Sequence, residues 1–198
     1  MFFLSLPEKR GCQKKPLRLY TRQIFHSDER WTMPAVGDKA PDFNLLDQNQ
    51  ERLELKKLLA KGKVLLVFYP GDDTPVCTAQ LCDYRDHYAG FEKLGVQIYG
   101  ISISHPDEHS NKKFAEKYHF PFPLLNDYDG RVTKAYKVMS IMGMPKRALF
   151  LLNQDGTILY KHVESLPIFR RTSDELFKAL QEVIAKAPQV QASAAAGH

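Results

Sequence analysis

Two cysteines five positions apart, Cys77 and Cys82, are the residues of this chain best suited to chemistry. They follow an apolar run, Val64–Tyr69, that is typical of a buried strand, and then a turn-forming stretch, residues 70–75 (PGDDTP). This order predicts that Cys77 lies in the first turn of a helix, where unpaired backbone N–H groups and the helix dipole favour an anionic thiolate. Because the thiolate is the reactive form of cysteine, the pattern indicates thiol redox chemistry.

The spacing of the two cysteines places a condition on any bond between them. In a continuous helix, residues five apart are rotated by about 140° and separated along the axis by about 7.5 Å. A disulfide requires a Cα separation of about 4.4–6.8 Å, so at least one turn must unwind if the two cysteines react with each other. The alternative is that Cys82 is a buried structural cysteine, a common role for this residue type.

The apolar periodicity around the cysteines predicts alternating strands and helices. The predicted strands are residues 64–69, 96–103, about 122–125, 148–152 and 157–162, and the predicted helices are residues 76–94, 108–118, 130–136 and one capped by Thr172 or Ser173. This order predicts an α/β fold whose sheet is mostly parallel at the centre and antiparallel at one edge. Reactive groups of such sheets gather at the carboxyl ends of strands, which is where Cys77 falls.

Composition and charge exclude several classes of function. The 198 residues carry a net charge of +5, but residues 1–32 hold seven basic and three acidic residues, and the remainder holds 21 and 20. A nearly neutral domain argues against nucleic-acid binding. No apolar run approaches the roughly 20 residues that span a bilayer, so no membrane association is expected. Three cysteines are too few for a disulfide scaffold, so we expect a reducing compartment.

The chain divides into three predicted segments. Residues 1–32 are a disordered or targeting-like extension, residues 33–184 are the domain, and residues 185–198 are a flexible tail. The extension carries three acidic residues and fits targeting signals poorly, so we interpret it as disordered, or as sequence upstream of a true start at Met33. A cytoplasmic location is therefore expected, with organelle import through residues 1–32 as the alternative. Cys12 is interpreted as a stray thiol.

The residues around Cys77 resemble the active-site signature of the peroxiredoxins. The pattern is Pro-x-x-x-Thr-x-x-Cys, formed here by Pro70, Thr74 and Cys77. The position of Cys82 resembles the bacterioferritin-comigratory-protein or peroxiredoxin Q branch of this family. The resemblance extends over about residues 34–183 and includes the stretches 37–43, 113–118, 122–127 and 147–156.

This resemblance implies a thioredoxin-like fold, with a central mixed β-sheet flanked by helices, and a thiol peroxidase acting on hydrogen peroxide and organic hydroperoxides. It implies that Cys77 is the peroxidatic cysteine, which becomes a sulfenic acid, and that Cys82 is the resolving cysteine, which forms a disulfide with it. Thioredoxin or a similar dithiol would reduce that disulfide. No cofactor or metal is implied, and a monomer or weak dimer is expected.

The resemblance also assigns roles to three residues beside the cysteines. Arg147 would stabilise the thiolate and the developing charge on the leaving oxygen. Thr74 would position the peroxide and the sulfur by hydrogen bonding, and Pro70 would shield the thiolate from water.

Three other residues depart from the usual pattern of the family. Val76 stands where the family usually has glycine, and Leu149 where it usually has threonine. Gln80 stands where it usually has glutamate, which removes one potential charge near Arg147.

Other functions fit the residues less well. A thiol–disulfide oxidoreductase without peroxidase activity would require Cys-x-x-Cys, which this chain lacks. A metal site could use His105 and His109, but Pro106 and Asp107 between them predict a helix start, and zinc requires three or four ligands. A holdase-like role of the oxidised protein is a further alternative that no residue pattern marks.

Overall fold

A mixed β-sheet with helices on both faces forms the centre of the computed structural model, which describes residues 32–104, 109–166 and 168–187. Within these ranges the strands are β1 Asn44–Asp47, β2 Arg52–Glu54, β3 Lys63–Phe68, β4 Val96–Ser102, β5 Leu124–Asn126, β6 Ala148–Leu152 and β7 Ile158–Val163. The helices are α1 Leu55–Leu59, α2 Pro75–Asp86, α3 Tyr88–Lys93, α4 Ser110–Tyr118, α5 Arg131–Ala135 and α6 Ser173–Lys186. None of these helices has the length and apolar character needed to cross a bilayer.

The seven strands follow the order β2-β1-β5-β4-β3-β6-β7. Strand β4 pairs in parallel with β3 and β5, which confirms the predicted parallel centre. Strands β6 and β7 form the predicted antiparallel edge, and β1 and β2 add a second antiparallel edge that was not predicted. The fold is therefore the expected α/β fold of the thioredoxin-like type.

Strand β3 separates two hydrophobic cores. Because successive strand residues point to opposite faces, Val64, Leu66 and Phe68 enter one core, while Leu65 and Val67 enter the other. The first core is covered by α1 and α5, and the second by α2, α3, α4 and α6. All five residues are fully buried, as the uninterrupted apolar run predicts for a strand covered on both faces.

The prediction of one helix over residues 76–94 is wrong, because the chain forms two helices that meet at His87. The backbone of His87 has φ −107° and ψ 15°, outside the helical region. Its ring Nδ1 lies 2.9 Å from the carbonyl oxygen of Asp83, so the ring competes for an acceptor of the last helical turn. After this break Gly90 packs against Phe177 so closely that an added Cβ would lie 2.6 Å from the ring.

The remaining elements follow the predictions with small shifts. Thr172 is the N-cap of α6, and its side chain forms a capping box with Glu175. Helix α6 ends at Lys186, two residues into the predicted tail. Elements β1, β2 and α1, each of five residues or fewer, were not predicted. Cys12 and most of the predicted extension and tail lie outside the described residues.

Candidate active site

Cys77 is the third residue of α2 and is almost completely buried, with 1% of its surface exposed. Pro75 occupies the first helical position, where its lack of an N–H costs nothing. The backbone of Thr74 caps the helix, and its carbonyl oxygen accepts a hydrogen bond from the N–H of Thr78 at 2.8 Å. Cys77 therefore lies in the first turn, as predicted, near the partial positive charge of the helix N-terminus.

The register of the sheet brings Arg147 to this cysteine. Ala148, the first residue of β6, pairs with Phe68, the last residue of β3, so Arg147 emerges beside the loop that leads to Cys77. Its Nη2 lies 3.5 Å from the Cys77 Sγ, and only 2% of the arginine is exposed. The guanidinium therefore places a positive charge next to the sulfur, in an interior that screens charge weakly.

A chain of buried hydrogen bonds holds the guanidinium in place. Arg147 Nη1 donates to Gln80 Oε1 at 2.6 Å, and Gln80 Nε2 donates to the Tyr84 hydroxyl at 3.0 Å. The Tyr84 hydroxyl in turn donates to the carbonyl oxygen of Arg171 at 2.8 Å. Sequence reasoning noticed Gln80 only as a departure from a pattern. The i, i+4 spacing of Gln80 and Tyr84 was the available signal that these two side chains meet.

Thr74 and Pro70 lie in the loop between β3 and α2. Thr74 is exposed, and its hydroxyl donates to the carbonyl oxygen of Gly71 at 3.3 Å rather than to the helix or to Cys77. The Thr74 side chain forms no capping hydrogen bond with α2. Pro70 is half-buried at the beginning of the loop. The structure thus brings Arg147 into contact with Cys77 and leaves Thr74 accessible at the surface.

Cys82 lies farther along the same helix and is half-buried. Both cysteines are free thiols, and α2 is unbroken between them. Because the two cysteines are five residues apart in one continuous helix, a disulfide between them requires α2 to unwind. Burial raises the pKa of the Cys82 thiol, Arg85 lowers it and Asp86 raises it, with a net upward shift.

Comparison with known proteins gives the family. The model of the AhpC/TSA family matches residues 36–161, well over half of the chain. The chain belongs to the AhpC/TSA family.

Two curated relatives are similar to this AhpC/TSA protein, and both are named "Peroxiredoxin Q, chloroplastic". The one from Triticum aestivum is 42% identical over 129 residues, which cover 64% of this chain and 58% of the relative. The one from Populus jackii is 38% identical over 151 residues, which cover 74% of this chain and 68% of the relative. The predicted resemblance to the peroxiredoxin Q branch is confirmed.

A solved structure supports the same family assignment. Peroxidoxin BcpB from Mycobacterium tuberculosis has a TM-score of 0.68 and 32% identity to this protein. The similarity covers 79% of this chain and the whole of that one.

A second polar cluster organises the loop between β3 and α2. Asp72 accepts hydrogen bonds from the Tyr69 hydroxyl at 2.7 Å and from the Ser104 hydroxyl at 2.8 Å, and it also accepts one from Ser110. Burial, together with the charge of Asp72, raises the pKa of Tyr69 well above its usual range. Sequence reasoning missed this cluster, because Asp72 was considered only as a turn former. The cluster ties the loop before Cys77 to the end of β4 and the beginning of α4.

The structure describes one of the two histidines of the alternative metal site. His109 is the N-cap of α4 with φ 48°, and His105 lies outside the described residues. Among the described residues, no group of three His, Cys, Asp or Glu side chains could hold a metal ion. A cavity of about 580 Å³ lies between β1, β5 and α5, and neither Cys77 nor Arg147 lines it.

Proposed function

We propose that this protein is a thiol peroxidase that reduces hydrogen peroxide and organic hydroperoxides through Cys77. The observation that carries the proposal is the Arg147 guanidinium, held 3.5 Å from a cysteine sulfur in the first turn of a helix. Two sources of positive charge, one formal and one from the helix dipole, converge on that sulfur. The relatives named peroxiredoxin Q support the proposal.

The proposed first step is attack of the Cys77 thiolate on one oxygen of the hydroperoxide. A bond forms between sulfur and oxygen, the O–O bond breaks, and Cys77 becomes a sulfenic acid. The leaving oxygen takes up a proton and departs as water or an alcohol. Arg147 stabilises the charge that develops on this oxygen, because its buried guanidinium is already in place before the reaction.

Thr74 and Pro70 complete the proposed site. The exposed Thr74 hydroxyl is available to the incoming hydroperoxide, because its present bond to Gly71 is long, at 3.3 Å, and weak. Pro70 is half-buried at the start of the loop, where it limits the access of water to the thiolate.

The proposed second step converts the sulfenic acid into a disulfide, which a dithiol can reduce. Cys82 attacks the sulfur of the Cys77 sulfenic acid, an S–S bond forms, and the S–O bond breaks. The hydroxide that leaves takes up the proton from Cys82 and departs as water. Helix α2 must unwind for this step, which exposes the disulfide to thioredoxin or a similar dithiol.

Intact mass analysis after one equivalent of hydrogen peroxide, followed by peptide mapping, tests this proposal. We expect a loss of two hydrogens located to a bond between Cys77 and Cys82. A stable oxygen adduct on Cys77 with Cys82 unmodified would leave a peroxidase that is resolved by an external thiol. Absence of a rapid reaction at Cys77 would refute the peroxidase. Cys77→Ser is the control for oxidation elsewhere in the chain.

We further propose import into an organelle rather than the cytoplasmic location expected from the sequence. The support is the word chloroplastic in the names of the curated relatives, together with the net charge of +4 on residues 1–32. A fluorescent fusion of residues 1–32, compared with a fusion of residues 33–198, would show whether the extension directs import. The expected monomer or weak dimer and the domain boundaries at residues 33 and 184 stay predictions, which sedimentation and limited proteolysis can test.

A further inference from the structure

We propose that Asp83 is a positioning residue that holds the Cys82 turn of α2 in its helical form. In this role it sets both the rate and the equilibrium of disulfide formation. The inference rests on the proposed function, because it concerns the step in which Cys82 leaves the helix to reach Cys77.

The Asp83 carboxylate accepts hydrogen bonds from α6 and lies close to a basic side chain of the segment before α6. The backbone N–H and the hydroxyl of Ser173, the first residue of α6, each donate to it at 2.8 Å. Arg170 Nη1 lies 3.3 Å from the carboxylate, and His87 Nδ1 lies 3.2 Å from it. We call Asp83, Ser173, Arg170 and His87 the Asp83 clamp.

The clamp is built as a strong contact. Ser173 is 2% exposed, and 20% of the Asp83 side chain is exposed, so water has limited access to the bonds between them. Hydrogen bonds to a charged acceptor are about twice as strong as those between neutral groups. The Ser173 N–H is also one of the amides at the start of α6 that have no hydrogen-bond partner within the helix. The helix dipole favours a negative charge at this position.

The clamp opposes the movement that a disulfide requires. Asp83 directly follows Cys82, so its backbone moves when the turn that carries Cys82 unwinds. Its carboxylate then leaves Ser173, and a buried hydroxyl and a backbone N–H lose a charged acceptor. Helix α6 itself is retained, because Thr172 and Glu175 cap it independently of Asp83. The clamp therefore stabilises the helical dithiol relative to the unwound disulfide.

Two fates compete for the Cys77 sulfenic acid, and the clamp acts on only one of them. Attack by Cys82 forms the S–S bond, breaks the S–O bond and releases water, and it requires unwinding. Attack by the sulfenate on a second hydroperoxide breaks another O–O bond, forms a sulfinic acid and releases water or an alcohol. That second reaction needs no unwinding. By slowing the first fate, the clamp lengthens the lifetime of the sulfenic acid.

The experiment measures each step in the full-length, reduced protein mixed with hydrogen peroxide. Rapid quenching followed by mass analysis separates the sulfenic, disulfide and sulfinic forms. In Asp83→Ala we expect unchanged sulfenic acid formation, disulfide formation faster by about tenfold, and a smaller sulfinic fraction at high peroxide. Asp83→Asn keeps an acceptor for Ser173 but loses the charge, so its rate should be intermediate.

Glu116→Gln is the control, because the exposed carboxylate of Glu116 pairs with Lys112 within α4 and is not part of the clamp. We expect wild-type rates for this variant. Ser173→Ala removes one of the two bonds from α6 and should accelerate disulfide formation by less than Asp83→Ala. This variant keeps the proposal testable if Asp83→Ala fails to fold.

A second readout is the reduction potential of the disulfide. Because the clamp stabilises the dithiol, its removal should make the potential more negative, by about 30 mV for each tenfold change in the equilibrium constant. Unchanged disulfide rates and potential in the folded Asp83 and Ser173 variants would overturn the proposal, and so would slower disulfide formation. If the wild-type protein forms no bond between Cys77 and Cys82, the resolving step of the proposed function itself fails, whatever Asp83 does.

Discussion

The two ends of α2 are held by different kinds of contact. At the first end, Cys77 is buried in a hydrophobic core beside Arg147, whose position follows from the pairing of β3 and β6. At the second end, Cys82 is half-buried, and the neighbouring Asp83 is held by polar contacts to the start of α6. The first end is thus held by core packing and strand register, and the second by hydrogen bonds and ion pairs. Under the proposed function, the contacts of the second end are the ones that must break before Cys82 can reach Cys77.

The largest expected effect concerns the two cysteines themselves. Cys77→Ser should abolish peroxide consumption, because Cys77 is the cysteine whose sulfur a buried guanidinium, that of Arg147, contacts at 3.5 Å. Cys82→Ser should consume one equivalent of peroxide and then stop in an assay coupled to thioredoxin. Sustained turnover of Cys82→Ser with thioredoxin would show that Cys82 is not the resolving cysteine.

The second largest effect is expected from the loss of Arg147. Arg147→Ala removes the cation beside the sulfur, and we expect the peroxide step to slow by about 100-fold, as for the loss of one group that stabilises a developing negative charge. Arg131→Ala is the control, since Arg131 is an exposed partner of Asp129. An unchanged rate of reaction with peroxide in Arg147→Ala would show that Arg147 does not assist the reaction at Cys77.

Gln80 allows a finer test of the same end. In Gln80→Glu a carboxylate replaces the amide oxygen that now lies 2.6 Å from Arg147 Nη1, so the arginine charge is offset. We expect a few-fold lower rate of reaction with peroxide and an unchanged rate of disulfide formation. The two rates come from the same quenched-flow series, and a change confined to disulfide formation would contradict the assignment of Gln80 to the Cys77 end.

The smallest expected effect is a pH dependence at the second end. The hydrogen bond to the Asp83 carbonyl raises the pKa of His87 from its usual value of 6.5, and the charges of Asp83, Asp174 and Asp86 raise it further. The contribution of protonated His87 to stability is therefore complete below about pH 6.5 and is lost as pH rises through the raised folded pKa.

Urea unfolding of the reduced protein as a function of pH would measure this contribution. His87→Gln should remove the corresponding decline in stability at rising pH. His119→Gln is the matched control, because His119 ends α4 and is not part of the clamp. An identical pH profile for wild type and His87→Gln would contradict this role of His87.

Local patterns predicted much of what surrounds Cys77. The apolar run of β3, the proline at the first position of α2 and the hairpin of β6 and β7 all follow from residues close together in sequence. The break at His87 did not, because it depends on a side chain that competes with the backbone for the Asp83 carbonyl. The contact of the Thr74 hydroxyl with the carbonyl oxygen of Gly71 was also not predicted, because it depends on the conformation of the loop between β3 and α2.

The sequence by itself determined the fold class, the position of Cys77 in a first helical turn, and the requirement that α2 unwind before Cys82 can reach it. These conclusions need only the periodicity of strands and helices and the reach of a disulfide. Only the tertiary structure decided which residues hold each end of α2. The contacts of Arg147 with Gln80 and of Asp83 with Ser173 join residues 67 and 90 positions apart. Such contacts depend on strand register and helix packing, which no local pattern of residues determines.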